Sequence, residues 1–98
     1  MNDKNLTYDY ICVYDLECNC LPNGHKGPGL KFNETIELPV VFIDVKEARI
    51  LPDMEFHTYI RTEYEKAITP FCTELTHITD EMSNGKDESG NFKNPTLK

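Results

Sequence analysis

Two acidic residues, Asp15 and Glu17, stand at the end of the run Tyr10-Ile11-Cys12-Val13-Tyr14. On an extended backbone, residues two positions apart project from the same side, with their backbones about 6–7 Å apart, two rises of roughly 3.3 Å. Divalent ions that act as a pair on a phosphodiester sit about 3.5–4 Å apart, so flexible carboxylates at that spacing can embrace them. Hard oxygen donors of this kind suit Mg2+ or Mn2+. The plainer reading is a strand end that has reached solvent, where acidic residues are common. Two features weigh against it. The pair ends a strand that is apolar on both sides, and a long loop follows directly, the place where functional groups commonly emerge.

Other residues offer weaker chemistry. Cys18, Cys20 and His25 have poor spacing for zinc, which favours a Cys-x₂₋₄-Cys pair and needs four ligands, so a distant Cys72 or histidine would have to complete the set. Ordinary loop thiols are the alternative. Tyr8, Tyr10, Tyr14, Tyr59 and Tyr64 have faces on which bases can stack, but packing against a sheet uses the same faces.

The elements that must position the carboxylates can be read from periodicity. Residues 10–17 predict one strand, with Ile11 and Val13 on the side of Asp15 and Glu17, and Tyr10, Cys12, Tyr14 and Leu16 on the other. Apolar residues on both sides mark a strand covered on both faces. Pro22, Asn23-Gly24, Gly27-Pro28 and Gly29 then force a loop. A second strand is predicted over 35–45, where Pro39 implies a bulge or an unpaired position. A turn at 46–48 and a third strand over 54–61 complete an antiparallel meander. Thr69-Pro70 predicts an N-cap and a short helix over 70–75, and Thr79-Asp80-Glu81 a second helix start. Polar residues 1–9 read as a flexible lead-in, and the composition of 83–98 predicts a tail without order.

The 98 residues are enough for a single small domain. A net charge of −7 argues against tight sequence-independent nucleic-acid binding through clustered cations, yet it suits an acidic metal site, where ions rather than lysines meet the phosphate. Four sparse cysteines and no signal peptide point to reduced thiols in the cytoplasm or nucleus rather than secretion. No run approaches the ~20 apolar residues of a membrane helix.

Four blocks then resemble a family in order: Val13-Tyr14-Asp15-Leu16-Glu17-Cys18, Asn33-Glu34-Thr35-Ile36-Glu37-Leu38-Pro39-Val40-Val41, Phe56-His57-Thr58-Tyr59-Ile60-Arg61, and Phe71-Cys72-Thr73-Glu74-Leu75-Thr76-His77-Ile78-Thr79. They are similar to the DEDDh 3′-to-5′ exonucleases, nearest the branch that trims small interfering RNA, histone messenger RNA and ribosomal RNA ends. The resemblance implies an α/β fold in which residues 10–82 form the N-terminal, antiparallel three-strand half of a ribonuclease H-like mixed sheet, truncated, with one or two short helices. It implies that Asp15 and Glu17 are the first two catalytic, metal-binding carboxylates of a site that holds two Mg2+ or Mn2+ ions when complete. Leu75, Thr76, His77 and Ile78 would border the pocket for the 3′-terminal nucleotide of single-stranded RNA, from which nucleoside monophosphates are released. Glu37 would serve a structural hydrogen bond.

The resemblance also has a boundary. The family's third aspartate and its His-x-x-x-Asp lie later in the domain, and none of His25, His57 or His77 is followed four positions on by Asp. These 98 residues alone are therefore expected to be inactive. The alternative is a non-catalytic remnant or short isoform that acts, if at all, by pairing through an open sheet edge. A third reading is a small binding module whose Asp-x-Glu is coincidental.

Overall fold

β3 (Thr35–Asp44), with the sequence TIELPVVFID, organises the sheet. The computed structural model describes residues 8–22, 30 and 32–97. Four further strands pair antiparallel with β3: β1 (Tyr10–Tyr14) and β2 (Glu17–Cys18) along one edge, β4 (Arg49–Ile50) and β5 (Phe56–Tyr59) along the other. Residues 45–48 turn the chain out of β3, and a 3-10 turn over Pro52–Met54 leads into β5. This is the antiparallel three-segment unit that the periodicity predicts, with its first and third segments each in two pieces.

The first segment differs from the single strand expected over 10–17, and Pro39 explains the difference. Tyr14 faces Val40 and Glu17 faces Glu37, so the register is unshifted across the gap and Asp15 falls opposite Pro39. The amide of Val45 donates to the Asp9 carbonyl at 3.1 Å. In an antiparallel ladder such exchanges recur at every second residue, so Ile43, Val41 and position 39 also aim their backbone groups at β1. The carbonyls of Ile36 and Phe42 point to the other edge, accepting from Ile60 at 2.8 Å and Leu51 at 2.9 Å. Proline has no N–H. Its missing donor is thus the one due to Asp15, and the ladder lapses at Asp15-Leu16. Beyond Glu17 a bulge inserts Ile36 as an extra residue, because Cys18 faces Thr35.

Both helices form where their caps predict. In α1 (Pro70–Thr76) the Thr69 side chain accepts from the Cys72 amide at 3.1 Å, and His77 closes the helix in the left-handed region at φ 66. In α2 (Asp80–Asn84) Thr79 accepts from the Met82 amide at 3.1 Å, and acidic Asp80 and Glu81 fill the first turn. Gly85 ends it. A Cβ there would stand 2.3 Å from the Glu81 carbonyl oxygen, so the close approach requires glycine.

The core lies at one end of the sheet. Ile36, Ile68, Cys72 and Ile78 are buried together, with Cys20, Tyr59 and Met82 packed against them. The helices thus cover the beginning of β3. The opposite end is bare: all five β1 residues are exposed, including Ile11 at 48% and Val13 at 43%. The radius of gyration is 17.3 Å, whereas a compact domain of this length would measure about 13 Å.

Residues 83–97 lie against the end of the third segment. Ser83 Oγ donates to the Ile60 carbonyl at 2.5 Å, the Arg61 amide to the Pro95 carbonyl at 2.8 Å, and Arg61 Nε to the Asn94 carbonyl at 2.9 Å. The Arg61 guanidinium lies 3.9 Å from the centroid of the Phe92 ring. The expected lead-in falls outside the described residues apart from Tyr8 and Asp9, as does the Gly/Pro loop apart from its two ends. Among the described residues no helix is long and apolar enough to cross a membrane.

Candidate active site

Asp15 lies on the sheet face that also carries Val13, Val41 and Pro39, and with Tyr14 these residues line a shallow depression of about 130 Å³. Cross-strand partners share a face. Because the register is unshifted, Glu17 occupies the same face two positions on, opposite Glu37. On the far edge of β3, His57 stands opposite Pro39 and Tyr59 opposite Glu37. The face therefore presents two rows across three strands, Asp15–Pro39–His57 and Glu17–Glu37–Tyr59, with adjacent strands about 4.8 Å apart.

Glu37 is already engaged. Its Oε2 lies 2.6 Å from His57 Nε2, and the His57 ring meets Tyr59 edge-on with centroids 4.8 Å apart. The hydrogen-bonding role expected of Glu37 thus has a partner on the neighbouring strand. Asp15 and Glu17 remain as hard oxygen donors on one face, the donor type that Mg2+ or Mn2+ takes. Two carboxylates do not close a site, however. Among the described residues no group of three or more His, Cys, Asp or Glu is gathered so as to hold a metal ion. The ligand set fits in kind and is incomplete in number.

The segment expected to border a terminal nucleotide is anchored directly behind Glu17. Cys72 Sγ donates to the Cys18 carbonyl at 3.3 Å. Asn19, fully buried, accepts from the Thr69 amide at 2.9 Å and donates to the Ala67 carbonyl at 3.2 Å. The Thr69 hydroxyl donates to the Cys20 carbonyl. These bonds fasten the start of α1 to the exit of β2. At the far end of α1, Leu75 is 63% exposed and His77 is exposed, while Thr76 Oγ1 donates to the Cys72 carbonyl and accepts from the Ile78 amide. Ile78 belongs to the core cluster. Leu75 and His77 therefore present side chains to solvent, and Thr76 and Ile78 hold the turn that carries them.

Burial, aided by the neighbouring Cys20, pushes the Cys72 thiol up to about 11. A protonated thiol that donates to a carbonyl is a poor nucleophile at neutral pH. Of the other candidate zinc ligands, Cys18 and Cys20 are half-buried free thiols, and His25 lies outside the described residues.

Comparison with known proteins decides the family. The exonuclease family model RNase_T matches residues 12–93. The chain belongs to the DEDDh exonucleases. It is 35% identical over 81 residues to the human 3′-5′ exoribonuclease 1, covering 82% of this chain and 22% of that protein. It is 33% identical over 78 residues to the 3′-5′ exonuclease eri1 of Schizosaccharomyces pombe (strain 972 / ATCC 24843), covering 79% and 24%. Its structure superposes with a TM-score of 0.72 and 28% identity on the nuclease domain of 3′hExo, a DEDDh family member bound to rAMP, over 94% of this chain and 40% of that one. A second solved structure, of a 3′-exonuclease in 3′-end specific recognition of the histone mRNA stem-loop, gives a TM-score of 0.72 at 29% identity over 92% and 34%.

The chain spans between a tenth and a quarter of the length of the curated DEDDh relatives it matches in sequence. Its sheet and two helices match part of a ribonuclease H-like exonuclease domain. Sequence reasoning passed over two of the residues that shape this DEDDh surface. Nothing local marks His57, because its contact with Glu37 depends on the register of strands twenty residues apart. Asn19 does carry a signal, a polar residue between two cysteines directly after the acidic pair. Its burial depends on α1, which arrives fifty residues later.

Proposed function

We propose that this chain supplies the first two metal-holding carboxylates, Asp15 and Glu17, and one wall of the terminal-nucleotide pocket to a 3′-to-5′ exoribonuclease domain. Single-stranded RNA 3′ ends are the substrate and nucleoside monophosphates the product. The observation that carries this reading is the unshifted register across Pro39, which keeps both carboxylates on one sheet face although the strand is interrupted between them. Asp15 and Glu17 would hold part of a Mg2+ or Mn2+ site that, when complete, would activate water and stabilise the leaving oxygen. The chain's own residues hold and orient: Asp15 and Glu17 present oxygens, and the Asn19 and Cys72 bonds fix α1 so that Leu75 and His77 lie beside the terminal nucleotide. With the remaining ligands absent from the 98 residues, these residues alone do not cleave RNA. The same reading places the protein in the cytoplasm or nucleus, in keeping with four free thiols.

The test uses a polypeptide that extends this sequence through the later aspartates. Metal-dependent shortening of a single-stranded RNA from its 3′ end, lost in Asp15→Ala, is the expected result; equal digestion without Asp15 overturns it. The same extended polypeptide offers a separate check by heat unfolding. An ion present at ten times its Kd that binds only the folded state adds about 1.4 kcal/mol, so Mn2+ should raise its Tm and leave Asp15→Asn unmoved. A coincidental Asp-x-Glu predicts no shift in either.

A further inference from the structure

We propose that His57 is a positioning residue that holds Glu37 away from the metal ions, so that Asp15 and Glu17 are the only carboxylates these strands lend to them, a role that rests on the exonuclease reading of that pair. Glu37 shares their sheet face, and Glu17 stands directly opposite it. Cross-strand partners carry their Cβ atoms about 4.5–5.5 Å apart, a separation at which two flexible glutamates can share one ion. By type and by position Glu37 is a ligand. Its side chain turns the other way, across β3 toward β5.

The clamp that turns it is diagonal and braced. Tyr59 faces Glu37, and His57, two positions earlier, faces Pro39, which offers the imidazole no polar side chain. Diagonal neighbours lie within reach of long and aromatic side chains. Glu37 Oε2 lies 2.6 Å from His57 Nε2, and because a carboxylate oxygen only accepts, Nε2 carries the proton. Tyr59 meets the imidazole edge-on at 4.8 Å and 87°, and is itself packed against the buried cluster of Ile36, Ile68, Cys72 and Ile78. The donor is therefore fixed in place by the core, and it secures a half-buried carboxylate.

What the clamp protects is the set of open coordination positions. Mg2+ works through one or two carboxylates, several waters and the oxygens of a substrate phosphate, whereas Ca2+ takes about six to eight oxygens in a flexible cage. A third carboxylate from the sheet would occupy positions that water and the scissile phosphate need. It would also favour Ca2+ over Mg2+. His57 thus sets both the vacancy and the preference of the site without touching an ion.

The experiment titrates Mn2+ into the extended polypeptide without RNA, follows the free ion by its electron paramagnetic resonance signal, and then competes it off with Ca2+ or Mg2+. His57→Ala releases Glu37, so the Kd for Mn2+ should fall about 10-fold and Ca2+ should gain on Mg2+ as competitor. Glu37→Gln added to His57→Ala should restore the parent values, because no carboxylate is left to release. His57→Gln, whose amide can donate from about the place of Nε2, should also resemble the parent. Should His57→Ala misfold, His57→Phe fills the space beside Tyr59 without a donor and serves the same purpose. A histidine with a merely structural part would leave binding weaker or unchanged on removal, or tighter in a way that Glu37→Gln does not reverse; each of these overturns the proposal. Asp15→Ala separates it from the reading on which it rests. If that variant loses Mn2+ while the His57 variants match the parent, only the role of His57 falls; if it keeps Mn2+, the carboxylate site falls and the role of His57 with it.

Discussion

Asp15 stands opposite Pro39, which cannot supply the amide that Val41 and Ile43 present along the same edge of β3. The candidate site therefore begins where backbone pairing lapses and only the side-chain register continues. In Pro39→Val the regained hydrogen bond contributes about 0.5–1.5 kcal/mol, and the greater freedom of the unfolded chain costs about 0.4–1 kcal/mol. Global stability should change by less than about 1 kcal/mol. The informative measurement is amide exchange: the new amide at position 39 should be protected, and fast exchange there would mean that the interruption has another cause.

Asn19→Ala should be far more damaging. The buried side chain satisfies the Thr69 amide and the Ala67 carbonyl together. Its loss strands two polar groups at about 1–3 kcal/mol each, so a loss of about 2–6 kcal/mol is expected from urea unfolding. A loss under 0.5 kcal/mol, well below that range, would show that α1 does not depend on this fastening.

The Cys72 thiol gives the fold an alkaline limit. Its folded value is raised from 9.0 to about 11, mainly by burial. The folded chain thus keeps a proton that the unfolded chain gives up. This contribution is whole below pH 9, declines above it, and is lost as the pH passes about 11. Melting temperatures should be less steep in pH over that window in Cys72→Ala than in the parent, whatever the substitution costs in packing. Parallel profiles would remove Cys72 as the cause.

Arg61 ties residues 92–95 to the chain just beyond β5. Arg61→Met loses the Nε bond to the Asn94 carbonyl and the stacking on Phe92, together worth about 1–3 kcal/mol. Proteolysis after residue 85 should accelerate and the Arg61 amide, bonded to Pro95, should exchange faster. Arg61→Lys should not restore the parent, because a lysine lacks the planar fork. Unchanged cleavage would show that these contacts do not hold the segment.

Strands and caps were legible because they depend on near neighbours. Alternation placed Asp15 and Glu17 on one side before any partner strand was known, and Thr69 and Thr79 announced both helices. Pro39 promised an irregularity, but only the parity of the ladder shows that its missing donor is the one due to Asp15. The two-residue β4 carries no pattern of its own and exists because a turn returns Arg49 and Ile50 to β3. Residues 83–97 have a composition poor in apolar side chains, and their placement relies on backbone and amide bonds such as Asn94 Nδ2 to the Met82 carbonyl at 2.7 Å, which composition does not encode. The Glu37–His57 and Asn19–Thr69 contacts were hidden for the same reason, since they require distant segments to meet.

A sheet in which β3 is the common partner also constrains how the protein is made. As synthesis proceeds from the N-terminus, Tyr10–Cys18 leaves the ribosome with nothing to zip onto until Asp44 has followed. At about 5–20 residues per second that interval is on the order of seconds. During it the sticky Tyr-Ile-Cys-Val-Tyr segment is bare, and a nascent-chain chaperone would find its best grip there.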